Sequence, residues 1–293
     1  MAPSTSRACW LTTVAVLVLA AAAVAALASG GFVARAAHQQ HSISQPARST
    51  PKTVSRRRRI LLGRSIEGRP IIAFETGDPS SSRKILVVGC VHGNECAGTA
   101  ITERLLRLAP PAQVDLWIIP NLNPDGAARG RRGNAHGVDL NRNFPWHWRP
   151  LHGTYDSGPR PLSEPESRIA HNLILQLRPT LSIWFHQHLD LVDESGGSIA
   201  TERRFATLVR LLLARLTREP GSITSWENHT LAGTAFVVEL PAEQLPPAAA
   251  ARFAYAVMTI STERSNTSRK RVPVTGHADR DYGSEDAPGA LFP

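Results

Sequence analysis

The sequence predicts an α/β fold, a single domain in which helices on both faces cover a mainly parallel mixed sheet. Short apolar runs rich in Val and Ile predict buried strands. Other segments place apolar residues at helical spacing, and the two kinds of segment alternate along the chain. This alternation is typical of layered α/β folds. The chain has 293 residues, of which 42% are hydrophobic, and this composition excludes a mostly disordered protein.

The elements follow one another in a regular order. The predicted strands span residues 69–76, 84–91, 114–120, 181–187 and 235–240. The predicted helices span residues 95–108, 164–177, 205–216 and 247–260. Together they form a globular body over residues 60–260. Residues 261–293 are polar with scattered Pro and Gly, so we expect a flexible C-terminal tail.

The N-terminal segment differs from this body. No charged residue occurs between residues 8 and 34, and Arg7 precedes the run. A basic residue followed by an apolar stretch predicts a secretory signal peptide. The run is also longer than the ~20 residues that cross a bilayer, so residues 1–34 form either a signal peptide or a transmembrane anchor. In both cases we expect the body to lie outside the cytoplasm, membrane-anchored or secreted.

The positive charge of the chain is concentrated near its N-terminus. Residues 1–59 hold eight of the 33 Lys and Arg residues and none of the 24 acids, which leaves 25 positive residues against 24 acids elsewhere. Residues 35–59 are rich in Ser, Gln, Pro and Arg and predict a disordered basic linker. A basic arm on a nearly neutral body is not a basic groove, so we expect no nucleic-acid partner.

The sequence HGNE at residues 92–95 follows a predicted buried strand and opens a helix. His92 and Glu95 can therefore direct a ring nitrogen and a carboxylate at one point, as a zinc site requires. Taken alone this spacing is common, but α/β sheets place their sites at the carboxyl ends of strands. The position favours a metal site over a chance match.

A polar loop follows, with NPDG at residues 123–126, then Arg129 and Arg132, then GVDLNRNFP at residues 137–145. Arginine presents a planar fork suited to carboxylates and oxyanions. The loop therefore predicts an anion-binding region. The alternative is a surface loop whose arginines are only solvated.

Two later strands end in polar residues. His186 and His188 lie at the end of the strand at 181–187, and Glu239 lies in the apolar sequence AFVVEL. A buried carboxylate is costly unless it is paired, bound to a metal or used to transfer protons. The alternatives are a core histidine that satisfies its own hydrogen bonds and a glutamate in a solvent-facing turn.

These features occur in one order, and together the chain resembles the zinc carboxypeptidases of the carboxypeptidase A type. Within them it is most similar to the compact bacterial branch that includes murein peptide amidases. The resemblance covers roughly residues 60–260 and includes LGRSIEGRP at 62–70, SGP at 157–159, SEPE at 163–166 and ELP at 239–241. HGNE followed by GVDLNRNFP is its most specific part.

The resemblance implies one zinc ion bound by His92, Glu95 and His186. Two histidines and one glutamate leave the fourth position open, as in catalytic zinc sites. His188 lies two residues from His186 and on the same strand face, so the third ligand could be exchanged. We favour His186 because the family ligand directly follows the apolar run.

The resemblance also implies the roles of the remaining candidates. Glu239 matches the general base, which takes a proton from the attacking water and delivers it to the leaving amine. Arg132 matches the arginine that stabilises the oxyanion. Asn141 and Arg142 match the pair that binds the substrate's terminal carboxylate, and Arg129 is a further substrate contact. Three other polar loop residues are assigned to loop structure: Asp125, Asp139 and Asn143.

Two features depart from the digestive members or stay open. Those members have a mobile tyrosine roughly twenty residues before the base, and residues 218–236 contain none. Cys90 and Cys96 flank the predicted zinc motif. In an oxidising compartment they could form a disulfide, and two buried free thiols are the alternative.

The sequence thus predicts a metallocarboxypeptidase that hydrolyses an amide next to a terminal carboxylate. The branch and the extracytoplasmic location favour cell-wall peptides, such as those with a γ-D-glutamate–diaminopimelate bond. The alternatives are a general extracytoplasmic carboxypeptidase for ordinary peptides, a catalytically silent wall-binding protein, and a deacylase of N-acyl amino acids.

Overall fold

A computed structural model describes residues 57–263 of the chain. Three predicted segments lie outside these residues, wholly or in large part. They are the signal peptide or anchor, most of the linker, and all but three residues of the tail. Within residues 57–263, no helix combines the length and apolar character needed to cross a bilayer.

One mixed sheet of eight strands runs through the described domain. The strands are β1 (Arg58–Arg64), β2 (Pro70–Gly77), β3 (Lys84–Val88), β4 (Asp115–Ile119), β5 (Leu181–Gln187), β6 (Leu191–Asp193), β7 (Leu212–Ala214) and β8 (Thr234–Leu240). Their order is β1-β2-β4-β3-β5-β8-β6-β7. The four central strands β4, β3, β5 and β8 are parallel, whereas β1, β2 and β6 pair antiparallel with a neighbour. The predicted mainly parallel mixed sheet is confirmed.

Helices cover both faces of this sheet. They are α1 (Gly98–Leu105), α2 (Pro124–Arg129), α3 (Pro165–Leu177), α4 (Ile199–Val209), α5 (Ile223–Thr230) and α6 (Pro247–Thr262). Alternate residues of β3 enter different cores: Ile85 and Val87 pack in the core with α1, α4 and α6, and Leu86 and Val88 pack in the core with α3 and α5. A strand buried on both faces needs apolar residues throughout, which explains its continuous apolar sequence.

The helix predicted over residues 205–216 is wrong at both ends. The helix α4 begins at Ile199, where the Ser198 side chain accepts a hydrogen bond from the Thr201 amide. It ends at Val209 because Arg210 adopts a left-handed conformation with φ of 61°. Leu212 then begins the short strand β7. The apolar residues beyond Arg210 therefore belong to the edge of the sheet.

The ends of the domain also differ from the predicted bounds of 60 and 260. Strand β1 begins at Arg58, inside the predicted linker, because Arg58 pairs with Glu75 of β2 both in register and through a 2.5 Å ion pair. Helix α6 continues to Thr262, where the Ser261 hydroxyl donates to the Val257 carbonyl. The folded domain therefore extends two residues beyond each of the predicted bounds.

Candidate metal and catalytic site

The carboxyl ends of three parallel strands bring the predicted site residues together. His92 and Glu95 lie in the turn between β3 and α1, and His186 pairs directly with Glu239 across β5 and β8. The turn depends on Gly93, because a Cβ atom there would lie 1.9 Å from the carbonyl carbon of Gly126. The strand ends and the close backbone contact therefore hold these side chains at one edge of the sheet.

Three buried side chains form a cluster that fits a metal ion. His92, Glu95 and His186 each offer a ligand atom within 4.8 Å of the other two. The two Nδ1 atoms are 3.1 Å apart, and the Oε2 atom of Glu95 lies 2.8 Å from His92 Nδ1 and 3.2 Å from His186 Nδ1. Ligands ~2.1 Å from a tetrahedral ion lie about 3.4 Å from one another, so the cluster needs little adjustment to bind zinc.

Asp139 contacts the cluster from the side of His92 that faces away from Glu95 and His186. Its carboxylate is completely buried and lies 2.8 Å from His92 Nε2, so it fixes the ring and directs Nδ1 towards Glu95 and His186. Its other oxygen accepts from Arg132 Nε at 2.9 Å. Asp139 also accepts from the Asn141 amide. The assignment of Asp139 to loop structure is therefore incomplete, because the same carboxylate positions a metal-site histidine.

The charges in the cluster favour a cation. Burial alone would lower the pKa of His92, but the carboxylates of Asp139 and Glu95 outweigh it and raise that pKa. Burial alone would raise the pKa of Glu95, but hydrogen bonds with His186 and His92 lower it well below the usual range. Surroundings that favour a proton on one of these rings equally favour a metal ion between them.

Glu239 lies beside the cluster with one oxygen free. The residue is half-buried, and its Oε2 atom is buried with no hydrogen-bond partner among the described residues. A buried carboxylate oxygen without a partner costs free energy, so a partner supplied by a bound molecule would stabilise it. This arrangement suits a group that exchanges protons with a substrate or water.

A cavity of about 350 Å³ joins these residues to the arginine-rich loop. Its lining includes the cluster, Glu239, Arg132 and two of the three residues of the 3₁₀ turn Leu140–Arg142, namely Asn141 and Arg142. The Arg142 side chain is buried and donates to the Asn141 carbonyl at 2.8 Å, and its Nε has no partner among residues 57–263. The Asn141 amide oxygen accepts from the Ile223 amide at 2.9 Å, which attaches this turn to the start of α5.

Comparison with known proteins decides the family. The family model described as zinc carboxypeptidase matches residues 45–201 of the chain. The chain belongs to the zinc carboxypeptidase family. It is therefore a metallocarboxypeptidase, a hydrolase, and the predicted resemblance is confirmed.

Individual relatives agree with this family. Murein peptide amidase A of Escherichia coli K12 is 32% identical over 180 residues, which cover 56% of this chain and 74% of that protein. The crystal structure of the murein-tripeptide amidase of Escherichia coli O157 matches with 26% identity and a TM-score of 0.59, over 72% of this chain and 98% of that one. Carboxypeptidase A from Helicoverpa armigera shares the fold. Its structure matches with 18% identity and a TM-score of 0.61, over 70% of this chain and 67% of that one.

Two predicted residues of this carboxypeptidase lie away from the cluster. Arg129 ends α2 and pairs with Glu67, and it is not among the residues that line the cavity. The end of the helix directs Arg129 to an exposed ion pair, so no contact in the structure supports its predicted role as a substrate contact. His188 is exposed and lines the cavity, but it lies beyond the end of β5 and outside the cluster of ligand atoms.

A tyrosine does line the cavity of this carboxypeptidase, although it comes from a different part of the chain. The ring of Tyr155 lies 5.1 Å from the Arg132 guanidinium carbon and 5.3 Å from that of Arg142. Cation–π contacts of this kind hold both guanidinium groups at the cavity. Tyr155 could not be predicted from the sequence, because its relation to the arginines arises only from the folded loop.

The two cysteines of the motif form a disulfide. Cys90 and Cys96 are joined, with Cα atoms 4.6 Å apart. The short separation is possible because the turn between β3 and α1 reverses the chain direction. Of the two alternatives that the sequence left open, the structure has the bridge, which braces the turn that holds His92 and Glu95.

Proposed function

We propose that this metallocarboxypeptidase uses one zinc ion to hydrolyse amide bonds next to a terminal carboxylate in cell-wall peptides. The γ-D-glutamate–diaminopimelate bond is the proposed target. The observation that supports this most is that one cavity holds the cluster of His92, Glu95 and His186 beside Glu239 and Arg142. Two of the similar proteins are named for amidase activity on murein peptides, which favours a wall substrate.

His92, Glu95 and His186 would hold the zinc ion. When bound, the ion acts as a Lewis acid that polarises the scissile carbonyl and favours attack by water. Asp139 keeps the Nε2 side of His92 occupied and so presents Nδ1 in the unprotonated form that binds metal. The Nδ1 atom is then the ring nitrogen that faces Glu95 and His186.

Glu239 moves the protons in this mechanism. Its Oε2 accepts one proton from the attacking water, whose oxygen forms the new bond to the carbonyl carbon. The C–N bond then breaks, and Glu239 returns the proton to the leaving nitrogen. Because the carboxylate begins and ends unprotonated, water and the amide are converted to an acid and an amine without any further reactant.

Two arginines supply the positive charge. Arg142 binds the terminal carboxylate of the substrate through its guanidinium fork, which restricts cleavage to the bond next to that carboxylate. Arg132, whose Nη1 lies 2.6 Å from Glu95 Oε1, lies at the edge of the metal cluster. There its charge stabilises the oxyanion that develops on the carbonyl oxygen.

The same proposal places the chain outside the cytoplasm, membrane-anchored or secreted. The uncharged run at residues 8–34 supports export. The Cys90–Cys96 disulfide supports an oxidising compartment. Cell-wall peptides are accessible there.

The test uses the zinc-loaded chain with L-Ala-γ-D-Glu-diaminopimelate and, in parallel, an all-L tetrapeptide, and mass spectrometry identifies the products. We expect release of diaminopimelate. Glu239→Gln should keep its zinc and lose about 10²- to 10⁴-fold in turnover, as expected for a general base. Arg129→Gln, which alters an arginine outside the cavity, is the matched control and should stay active.

Each of the other outcomes would indicate a different function or a different role for Glu239. Cleavage of the all-L peptide alone would indicate a general carboxypeptidase. If zinc binds and neither peptide is cut, a silent wall-binding protein or a deacylase replaces the proposal. Substantial activity in Glu239→Gln would contradict its assignment as the base.

A further inference from the structure

One wall of the cavity has charged side chains that the proposed mechanism does not use. Asp193, Arg218 and Glu219 line the cavity together with Thr224 and Val237. Arg218 and Glu219 also line an adjoining cavity of about 690 Å³, so they form the boundary between the two. Charged residues at such a boundary are positioned to select what enters.

Asp193 fixes the position of Arg218. The Asp193 carboxylate is buried and accepts from the Ser195 hydroxyl at 2.6 Å, the Leu216 amide at 2.9 Å and Arg218 Nη1 at 2.7 Å. The negative charge of Asp193 is therefore already paired. Arg218 remains more than a third exposed, and its other guanidinium N–H groups have no partner within residues 57–263. They can bind an anion in the cavity.

Glu219 adds the opposite charge beside it. It is half-buried and makes no hydrogen bond or ion pair with any other described residue, including the neighbouring Arg218. The wall thus offers a cationic and an anionic group that do not neutralise each other. A ligand with one group of each sign complements both.

The wall lies within reach of a substrate held at the catalytic residues. Val237 and Glu239 share one face of β8, two residues or about 6.6 Å apart. The Val237 amide donates to Ser195, whose hydroxyl also binds Asp193. Arg218 therefore lies close to Val237, which is two residues along the strand from the proposed base Glu239.

We infer that Arg218 and Glu219 form the subsite for the far end of the diaminopimelate side chain. Arg218 binds the distal carboxylate and Glu219 binds the distal ammonium group. This inference rests on the proposed function and adds the residues that choose the side chain. Lysine has the ammonium group alone, and 2-aminopimelate has the carboxylate alone, so these two amino acids separate the two contacts.

The experiment measures kcat/KM of the zinc-loaded full chain on L-Ala-γ-D-Glu-X, where X is meso-diaminopimelate, L-lysine or L-2-aminopimelate. Arg218→Gln should lose about tenfold or more on the two substrates with the distal carboxylate and less than about threefold on lysine, because a hydrogen bond between charged groups is lost only there. Glu219→Gln should lose about tenfold on diaminopimelate and lysine and stay near wild type on 2-aminopimelate.

Controls separate selection from structural damage. Arg215→Gln alters an exposed arginine of the same loop that does not line the cavity, and it should leave all ratios unchanged. Arg218→Lys keeps a positive charge beside Asp193, so the variant should fold. It loses the planar fork, so it should discriminate less than wild type between diaminopimelate and lysine substrates. Equal losses on all three substrates, or no loss on diaminopimelate in either Gln variant, would overturn the inference.

Calorimetric binding of free meso-diaminopimelate and lysine distinguishes this inference from the proposed function. If the wild type cuts none of the three amides, the proposed function fails. Weaker binding of diaminopimelate by Arg218→Gln than by the wild type would then still support the subsite. No binding by the wild type, or equal binding by both, would remove it.

Discussion

Asp139→Asn tests whether the carboxylate behind the metal cluster controls metal affinity. Asparagine has nearly the same shape, and its amide oxygen can still accept from His92 Nε2, 2.8 Å away in the native protein. Its amide nitrogen then replaces the oxygen that accepts from Arg132 Nε at 2.9 Å, so two donors face each other. The substitution removes the negative charge and keeps the packing.

The expected effect is a weaker metal site. Replacing the partner of a metal-binding histidine typically lowers metal affinity about 10- to 100-fold. This range equals about 1.4–2.8 kcal/mol. We expect the upper half of it, because Asp139 is completely buried and the substitution also disturbs Arg132, which contacts the proposed ligand Glu95. Turnover measured at saturating zinc should fall less than zinc affinity.

Competition against a fluorescent zinc chelator measures the affinity. Asp125→Asn is the matched control, because Asp125 is also completely buried and accepts from Ser65, the Glu67 amide and Arg69, away from the cavity. It should lower stability and leave zinc affinity unchanged. If Asp139→Asn binds zinc as tightly as Asp125→Asn does, the reasoning about His92 is refuted.

Two further predictions concern other buried groups. His186→Ala should lose bound zinc and His188→Ala should retain it, as elemental analysis of the purified variants can decide; the reverse result would reassign the third ligand. Glu227 is buried, and burial raises its pKa from 4.5 to about 7, although Ser182 and Trp184 donate to it. A raised carboxyl pKa stabilises the fold fully below pH 4.5, and this contribution is lost as pH rises towards 7. Glu227→Gln should therefore change the free energy of unfolding in favour of the folded state by up to about 3 kcal/mol more at pH 8 than at pH 4.5. Urea unfolding at the two pH values measures this difference. An equal effect at both pH values would contradict the raised pKa of Glu227.

The four central strands and the helices α1, α3 and α6 were predictable because each has a complete local signal, whereas α5 was not predicted. The strand at 181–187 has its predicted bounds, since four of its first five residues are apolar and its side chains are buried on both faces as far as His186. By contrast, β6 and β7 have three residues each, too few for a periodic pattern. The error at α4 has a related cause, because the helical spacing of apolar residues continues past Arg210 although the helix does not.

Two of the predicted ligands were also local, whereas the third ligand, His186, and the residues that support the cluster were not. His92 and Glu95 lie three residues apart in one turn, so their spacing predicts a shared point. Asp139 lies 47 positions after His92 and reaches it only because the loop folds back. A search for the carboxylate that a metal-binding histidine usually needs could have singled out Asp139. The relation of Tyr155 to the arginines had no comparable signal.

The choice between His186 and His188 shows which physical feature separates two similar candidates. Residues two apart on a strand point to the same face, so the alternation of side chains cannot distinguish them. The pairing of β5 with β8 ends at Gln187, whose side chain accepts from the Ala97 amide and donates to the Pro241 carbonyl. His186 is therefore still in the sheet, buried and paired with Glu239, whereas His188 has left it and is exposed. The end of the strand, and not the spacing of the histidines, decides which ring faces His92 and Glu95.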